Sequence, residues 1–260
     1  MPDPSASSNQ SIEQALRERV AAGAGGDYLR TIARNHSMPV MDGELDRFLG
    51  SLPSGASILD IGGCWGWHWR RLRTTRPDVR VTIIDFVHAN LTHARNVLGP
   101  LVDDQVFLVH ADATALPFPA AAFDGVWTVQ TLQHIPDFNR ACTEASRVLS
   151  PGGRFVNYSL HITPMNQVIY RLLNRRFHVD GAVPGAFHLT RANDQQRQVV
   201  AGLFSDVTER FTECPFHPDL RFTRSGRSGD PLGRLDARLG DLAWLGRLIA
   251  RQRSWHGIKA

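Results

Sequence analysis

Apolar positions along this chain follow two alternating rhythms. Short, mainly apolar runs at 58–61, 79–85, 105–110, 122–129 and 154–160 are rich in Val, Ile and Phe, as expected of buried strands. Between them, 67–73, 88–98 and 138–149 have the lengths and polar faces of helices. Alternation of strand and helix predicts a parallel sheet with right-handed crossovers. Ahead of the first strand, helical segments are expected from Ser11 to Val20, over 27–35 and over 40–49, with Gly23 to Gly26 as a break. They are placed to cover the sheet or to cap a ligand.

Past Leu160 the rhythm changes. A helix is expected over 165–177, a Gly/Pro/His-rich loop over 179–189, a helix over 191–203 and a strand over 206–214. An irregular polar stretch follows over 215–233. Leu235, Leu239, Leu242, Leu245 and Ile249 recur at helical spacing and predict one amphipathic helix over 235–249. A last short strand is expected over 254–260. Residues 1–10 are polar and read as a disordered tail. The remainder reads as one domain: a helical cap over 11–52, a core over 56–160, and additions over 161–260.

Composition narrows the class. Hydrophobic residues make up 42% and charged residues 21%, which suits a soluble globular protein. The net charge of +4 is carried almost wholly by arginine, since Lys259 is the only lysine, and is too mild to argue for nucleic acid. Cys64, Cys142 and Cys214 lack paired spacing, so neither a disulfide framework nor a zinc site is expected. With no apolar run near the length of a membrane span and no leader-like segment, a cytoplasmic location without membrane contact is expected.

Candidate chemistry begins at Ser57-Ile58-Leu59-Asp60-Ile61-Gly62-Gly63-Cys64-Trp65-Gly66-Trp67. A buried strand containing an acid runs into a glycine turn and then a helix, the opening unit of an open α/β sheet that binds ligands at its carboxyl edge. Asp85 ends the second strand, where a carboxylate can accept hydrogen bonds from ribose hydroxyls, and Phe86 offers an apolar surface to a base. Asp112-Ala113 follows the third strand. Phe123-Asp124-Gly125-Val126-Trp127 leads to Leu132-Gln133-His134-Ile135-Pro136-Asp137, and then Pro151-Gly152-Gly153 turns the chain into the fifth strand. Each acid also suits a helix cap or an Asx-turn.

As an ordered set, these residues resemble the class I S-adenosylmethionine-dependent methyltransferases, in particular the small-molecule, type 11 branch. The resemblance runs from about Ile58 to Leu160, some two-fifths of the chain. It implies a Rossmann-like, seven-stranded sheet with helices on both faces and its last strand antiparallel. It also implies S-adenosylmethionine bound across Asp60, Gly62, Gly63, Gly66, Asp85, Phe86, Asp112, Ala113, Val129 and Gln130. One departure stands out: Cys64 replaces the middle glycine of the usual Gly-x-Gly-x-Gly, so either a Cβ fits beside the cofactor or the loop shifts. A weakly active, cofactor-binding partner subunit therefore stays in view.

Methyl transfer needs nucleophile, methyl and sulfur held in line. A hydroxyl acceptor also needs a base, and His134, just past the fourth strand, is the candidate catalytic residue. The alternative is a histidine that packs the turn and bonds backbone. Gln133, Tyr158, Ser159 and His161 are second-line candidates, and His178, His188 and His217 are placed to reach a substrate. Arg171, Arg175 and Arg176 either clamp an anionic substrate group or form a solvated face. Trp65, Trp67 and Trp69 are expected in core packing. No carboxylate cluster suggests a metal. The expected activity is methylation of a small molecule such as a sugar or polyketide, with oxygen favoured over nitrogen or carbon. A nicotinamide dehydrogenase and a nucleic-acid methyltransferase are the other readings.

Overall fold

A computed structural model describes residues 12, 14–19, 21–23, 27–175, 180–182, 188–214 and 231–260. The disordered tail expected over 1–10, Arg176, His178, His217 and most of the irregular stretch lie outside these residues. The apolar runs become β1 (Ser57–Ile61), β2 (Arg80–Asp85), β3 (Val106–His110), β4 (Phe123–Val129) and β5 (Leu149–Leu160). Then come β6 (Asp180–Ala182), β7 (His188–Thr190), β8 (Ser205–Thr212) and β9 (Gln252–Ile258). Seven strands form one sheet in the order β3-β2-β1-β4-β5-β9-β8, while β6 and β7 pair separately. β1 to β5 run parallel, and β9 lies antiparallel between β5 and β8. This is the Rossmann-like mixed sheet that the resemblance implies.

The helices are α1 (Tyr28–Asn35), α2 (Met38–Gly50), α3 (Leu72–Thr75), α4 (His88–Leu98), α5 (Phe138–Val148), α6 (Pro164–Leu172), α7 (Asp194–Leu203), α8 (Pro231–Gly240) and α9 (Ala243–Ile249). Residues 14–19 are helical too. Strand side chains alternate between faces, so each strand serves two cores. Ile58, Val81, Ile83, Trp127, Val156 and Tyr158 pack with α1, α2 and the tryptophans of the Trp67–Arg71 3-10 turn. Leu59, Ile61, Ile84, Val126 and Phe155 pack on the other face with residues of α5 and α7.

Four local expectations change. Part of the loop expected over 179–189 forms strands, because β6 and β7 make an antiparallel hairpin. The helix expected over 235–249 is two helices broken at Asp241-Leu242. Both abut Phe211 of β8 through glycine: a Cβ on Gly240 or Gly246 would collide with it. The helix expected to 177 ends at Leu172, and Asn174 is left-handed at φ 51°. Finally, Pro151-Gly152-Gly153 lies within β5, whose register against β4 shifts between Phe123 and Gly125. No helix among the described residues is long and apolar enough to cross a membrane.

Glu44 of α2 locks this helix to the sheet. Its carboxylate is buried and accepts from the Tyr158 hydroxyl at 2.9 Å and from the Arg210 guanidinium at 3.2 and 3.3 Å. Removing one partner of a buried ion pair strands the other. Glu44→Ala is therefore expected to cost about 3 kcal/mol in chemical denaturation. A loss below about 0.5 kcal/mol, the level of an exposed pair, would show that the network contributes little.

Candidate active site

The ends of β1, β2 and β4 are drawn together at Gly62. Its N–H donates to the Ile84 carbonyl at 2.8 Å, and its own carbonyl accepts from Thr131 Oγ1 at 3.2 Å. A Cβ on Gly62 would run into the Thr131 side chain, and the residue is left-handed at φ 69°. Glycine is the residue that meets both demands. Gly66 and Cys64 are left-handed as well, at φ 68° and 50°. The loop thus keeps its left-handed turn at Cys64 despite the missing glycine, a conformation that costs an L-residue roughly 1–2 kcal/mol.

Below these tips lies a cavity of about 490 Å³. Asp60, Gly62, Gly63, Asp85, Phe86, Asp112, Ala113, Val129, Gln130 and His134 all line it. Gly66 does not; it packs against Leu98 and Ile83. Arg17, Asn35, His36, Cys64, Trp67, His68, Asn90, Thr131 and Gln133 complete much of the polar lining. Tyr158, Ser159, His161, Arg171 and Arg175 lie outside it. The Tyr158 hydroxyl is spent on Glu44, and the His161 ring packs on Phe211. Among the described residues no group of three or more His, Cys, Asp or Glu is arranged to hold a metal.

Two buried carboxylates dominate the electrostatics. Asp85 accepts from the N–H of Val87 at 2.9 Å, the N–H of Cys64 at 3.2 Å and the Asn90 amide at 3.3 Å. Burial nevertheless pushes its pKa up to about 6. Asp60 accepts from the Trp69 indole at 2.7 Å, and burial, with the nearby Asp85 charge, lifts it to about 7. Burial also raises the Cys64 thiol, which makes it a poor nucleophile. Asp112 accepts from the Thr114 N–H at 2.8 Å, an Asx-turn that still lines the cavity.

His134 sits in a directed hydrogen-bond chain. The Leu160 N–H donates to Gln133 Oε1 at 2.7 Å, which turns the Gln133 amide nitrogen toward His134 Nε2 at 3.1 Å. His134 Nδ1 then donates to the His188 carbonyl at 2.6 Å. Both ring nitrogens are engaged, and burial holds the imidazole pKa down at about 3. A general base works best with a pKa near the operating pH, and in this arrangement the His134 imidazole lies well below it. His134 joins the turn after β4 to β7.

Two lining groups stand out, the first of which sequence reasoning passed over. His68, 4% exposed, lines the cavity with its Nδ1 buried and without a hydrogen-bond partner among the described residues. Gln130, expected only through the resemblance, is left-handed at φ 53°, and its Nε2 is likewise buried and unpartnered. A buried polar atom left in this state costs about 1–3 kcal/mol, which a ligand can recover. With the carboxylate of Asp85 and the backbone approach at Gly62, this donor set fits an adenosyl and amino-acid ligand.

Comparison with known proteins points the same way. Residues 59–157 match the family model of a methyltransferase domain, type 11. The chain is 41% identical over 112 residues to 27-O-demethylrifamycin SV methyltransferase of Amycolatopsis mediterranei, covering 42% of this chain and 41% of that protein. It is 31% identical over 146 residues to the ubiquinone/menaquinone biosynthesis C-methyltransferase UbiE of Methylobacterium nodulans, covering 52% of this chain and 58% of the relative. The matches thus span about half the length of these relatives. A SAM-dependent methyltransferase of Thermotoga maritima shares the fold over 95% of this chain and 100% of its own, with a TM-score of 0.60 at 17% identity. The glycine turn, the acids at the strand ends and these matches agree that residues 59–157 are similar to the methyltransferase domain, type 11, of the class I S-adenosylmethionine-dependent enzymes.

Proposed function

We propose that this chain transfers a methyl group from S-adenosylmethionine to a small-molecule acceptor, with oxygen the favoured atom. One observation carries the reading: ten of the eleven residues expected at the site line a single cavity at the carboxyl edge of the sheet. Oxygen is supported by the likeness to 27-O-demethylrifamycin SV methyltransferase. Carbon is the second reading, supported by the likeness to UbiE.

Bound S-adenosylmethionine supplies an electrophilic methyl on a sulfonium cation, so the protein's main task is alignment. Asp85 is assigned to the ribose hydroxyls and Phe86 to the face of the base. Asp112 and the Ala113 N–H are assigned to its edge, and the backbone of 62–64 with Gln130 to the remainder. Once ionised, Asp60 places negative charge near the cationic end. His134 positions β7 and the turn after β4 around the acceptor, and with a hydroxyl acceptor it is also the candidate to take the proton.

The assay is product detection by mass spectrometry over a panel of hydroxylated small molecules, with calorimetry on S-adenosylhomocysteine and NAD. Tight NAD binding without a response to S-adenosylhomocysteine would overturn the reading. Strong retention on heparin at moderate salt would point to nucleic acid instead.

Asp85→Ala is expected to weaken S-adenosylhomocysteine binding by about 1.5–3 kcal/mol, the value of a charge-assisted hydrogen bond. Because Asp85 and Asp60 titrate near 6 and 7, affinity should fall as pH drops through that window and both take up protons. Calorimetry from pH 5 to 8 checks this, and a flat profile would sink it. His134→Ala should quicken amide exchange over 188–190 while S-adenosylhomocysteine affinity stays within about threefold, less than one hydrogen bond is worth. Unchanged exchange would remove the anchoring role.

A further inference from the structure

The cavity reaches well beyond the nucleoside end marked by Asp85 and Asp112. Those acids follow β2 and β3, on one flank of the sheet. The opposite end is walled by Asn35 and His36 at the end of α1 and by Trp67 and His68 of the 3-10 turn. His36 lies 3.6 Å from Glu213, just past β8, and His68 lies edge-on to Trp127 of β4. This end therefore sits toward the β4 and β8 side, where the part of an adenosyl ligand farthest from its base would arrive.

His68 is an unusual lining residue. Its ring lies tilted against Trp67 at 4.0 Å and 31°, and meets Trp127 at 5.5 Å and 74°. Burial, reinforced by His36 and Arg70, holds it neutral. A neutral imidazole in an aromatic cage packs no better than an apolar ring, yet it leaves Nδ1 without a partner. Such a site is destabilising on its own terms, and because His68 lines the cavity a ligand there can offset that cost. Resting on the methyltransferase reading above, we infer that His68 binds the amino-acid end of the cofactor and is a specificity-determining residue of that subsite.

The test compares S-adenosylhomocysteine with 5′-methylthioadenosine, which carries the same nucleoside and sulfur but lacks the amino-acid group. Calorimetry and thermal melts would be run on the wild type, His68→Leu, His68→Asn and His68→Gln. In His68→Leu, S-adenosylhomocysteine should bind about tenfold more weakly, as for one lost hydrogen bond. Methylthioadenosine should change less than about twofold, and the Tm of the ligand-free protein should hold or rise, because an unsatisfied buried group has gone. His68→Asn or His68→Gln should recover part of the loss, according to which ring nitrogen is used. Equal weakening of both compounds together with a lower Tm would reduce His68 to packing and overturn the inference. Unchanged S-adenosylhomocysteine binding would overturn it too. A wild type that binds neither compound would instead bring down the methyltransferase reading itself.

Discussion

Everything at the carboxyl edge depends on how closely the loop after β1 approaches the turn after β4. At Gly62 the gap is too small for a side chain, since the Thr131 side chain fills the space that a Cβ would need. The same residue reaches sideways to the Ile84 carbonyl at the end of β2. One missing methyl therefore lets three strand ends share a single rim, and the cavity is the space they enclose. A larger residue there would have to part the rim before it weakened any single contact.

The rim buries two carboxylates whose desolvation outweighs the hydrogen bonds they accept. Asp60 and Asp85 both carry pKa values raised above the ordinary 3.8, chiefly by desolvation. Their folded forms hold protons that the unfolded chain would release, so this pair contributes less stability as pH climbs from about 4 to 7. At neutral pH the site is thus a weak point of the fold. A ligand with hydroxyl donors and a cationic end satisfies both carboxylates, and its binding stabilises the protein by mass action. His68 follows the same logic with a neutral group, well packed by its aromatic neighbours but with a buried nitrogen left unpartnered.

The core was legible because its signals are local. Runs such as 58–61 and 122–129 mark buried strands, and an acid or glycine at a strand end is visible in the linear order. The region past Leu160 was less so, because its elements depend on distant partners. β6 and β7 are three residues each and exist only as a pair. The break at Asp241-Leu242 falls between two glycines that lie tight against Phe211, a fact of packing that no periodicity carries. His134 was found by position, but the bonds that hold its ring were not legible. Its neighbours in the hydrogen-bond chain, Leu160 and His188, are remote in sequence. His68 hid inside a tryptophan-rich stretch that reads as core, and its unpartnered nitrogen appears only once every neighbour is placed.

The placement of β9 bears on how the chain acquires its shape. Arg154 pairs with Ile258, and Leu160 with Gln252, so neighbours in the middle of the sheet are separated by about ninety residues or more of chain. During synthesis β5 stays bare along one side until that late strand emerges, and β8 has no neighbour of its own. Long-range closures of this kind slow folding and leave strand edges open to pairing with other chains. Aggregation during expression would then trace to the delayed arrival of a single strand, and a chaperone that shields β5 would help more than any change near the cavity.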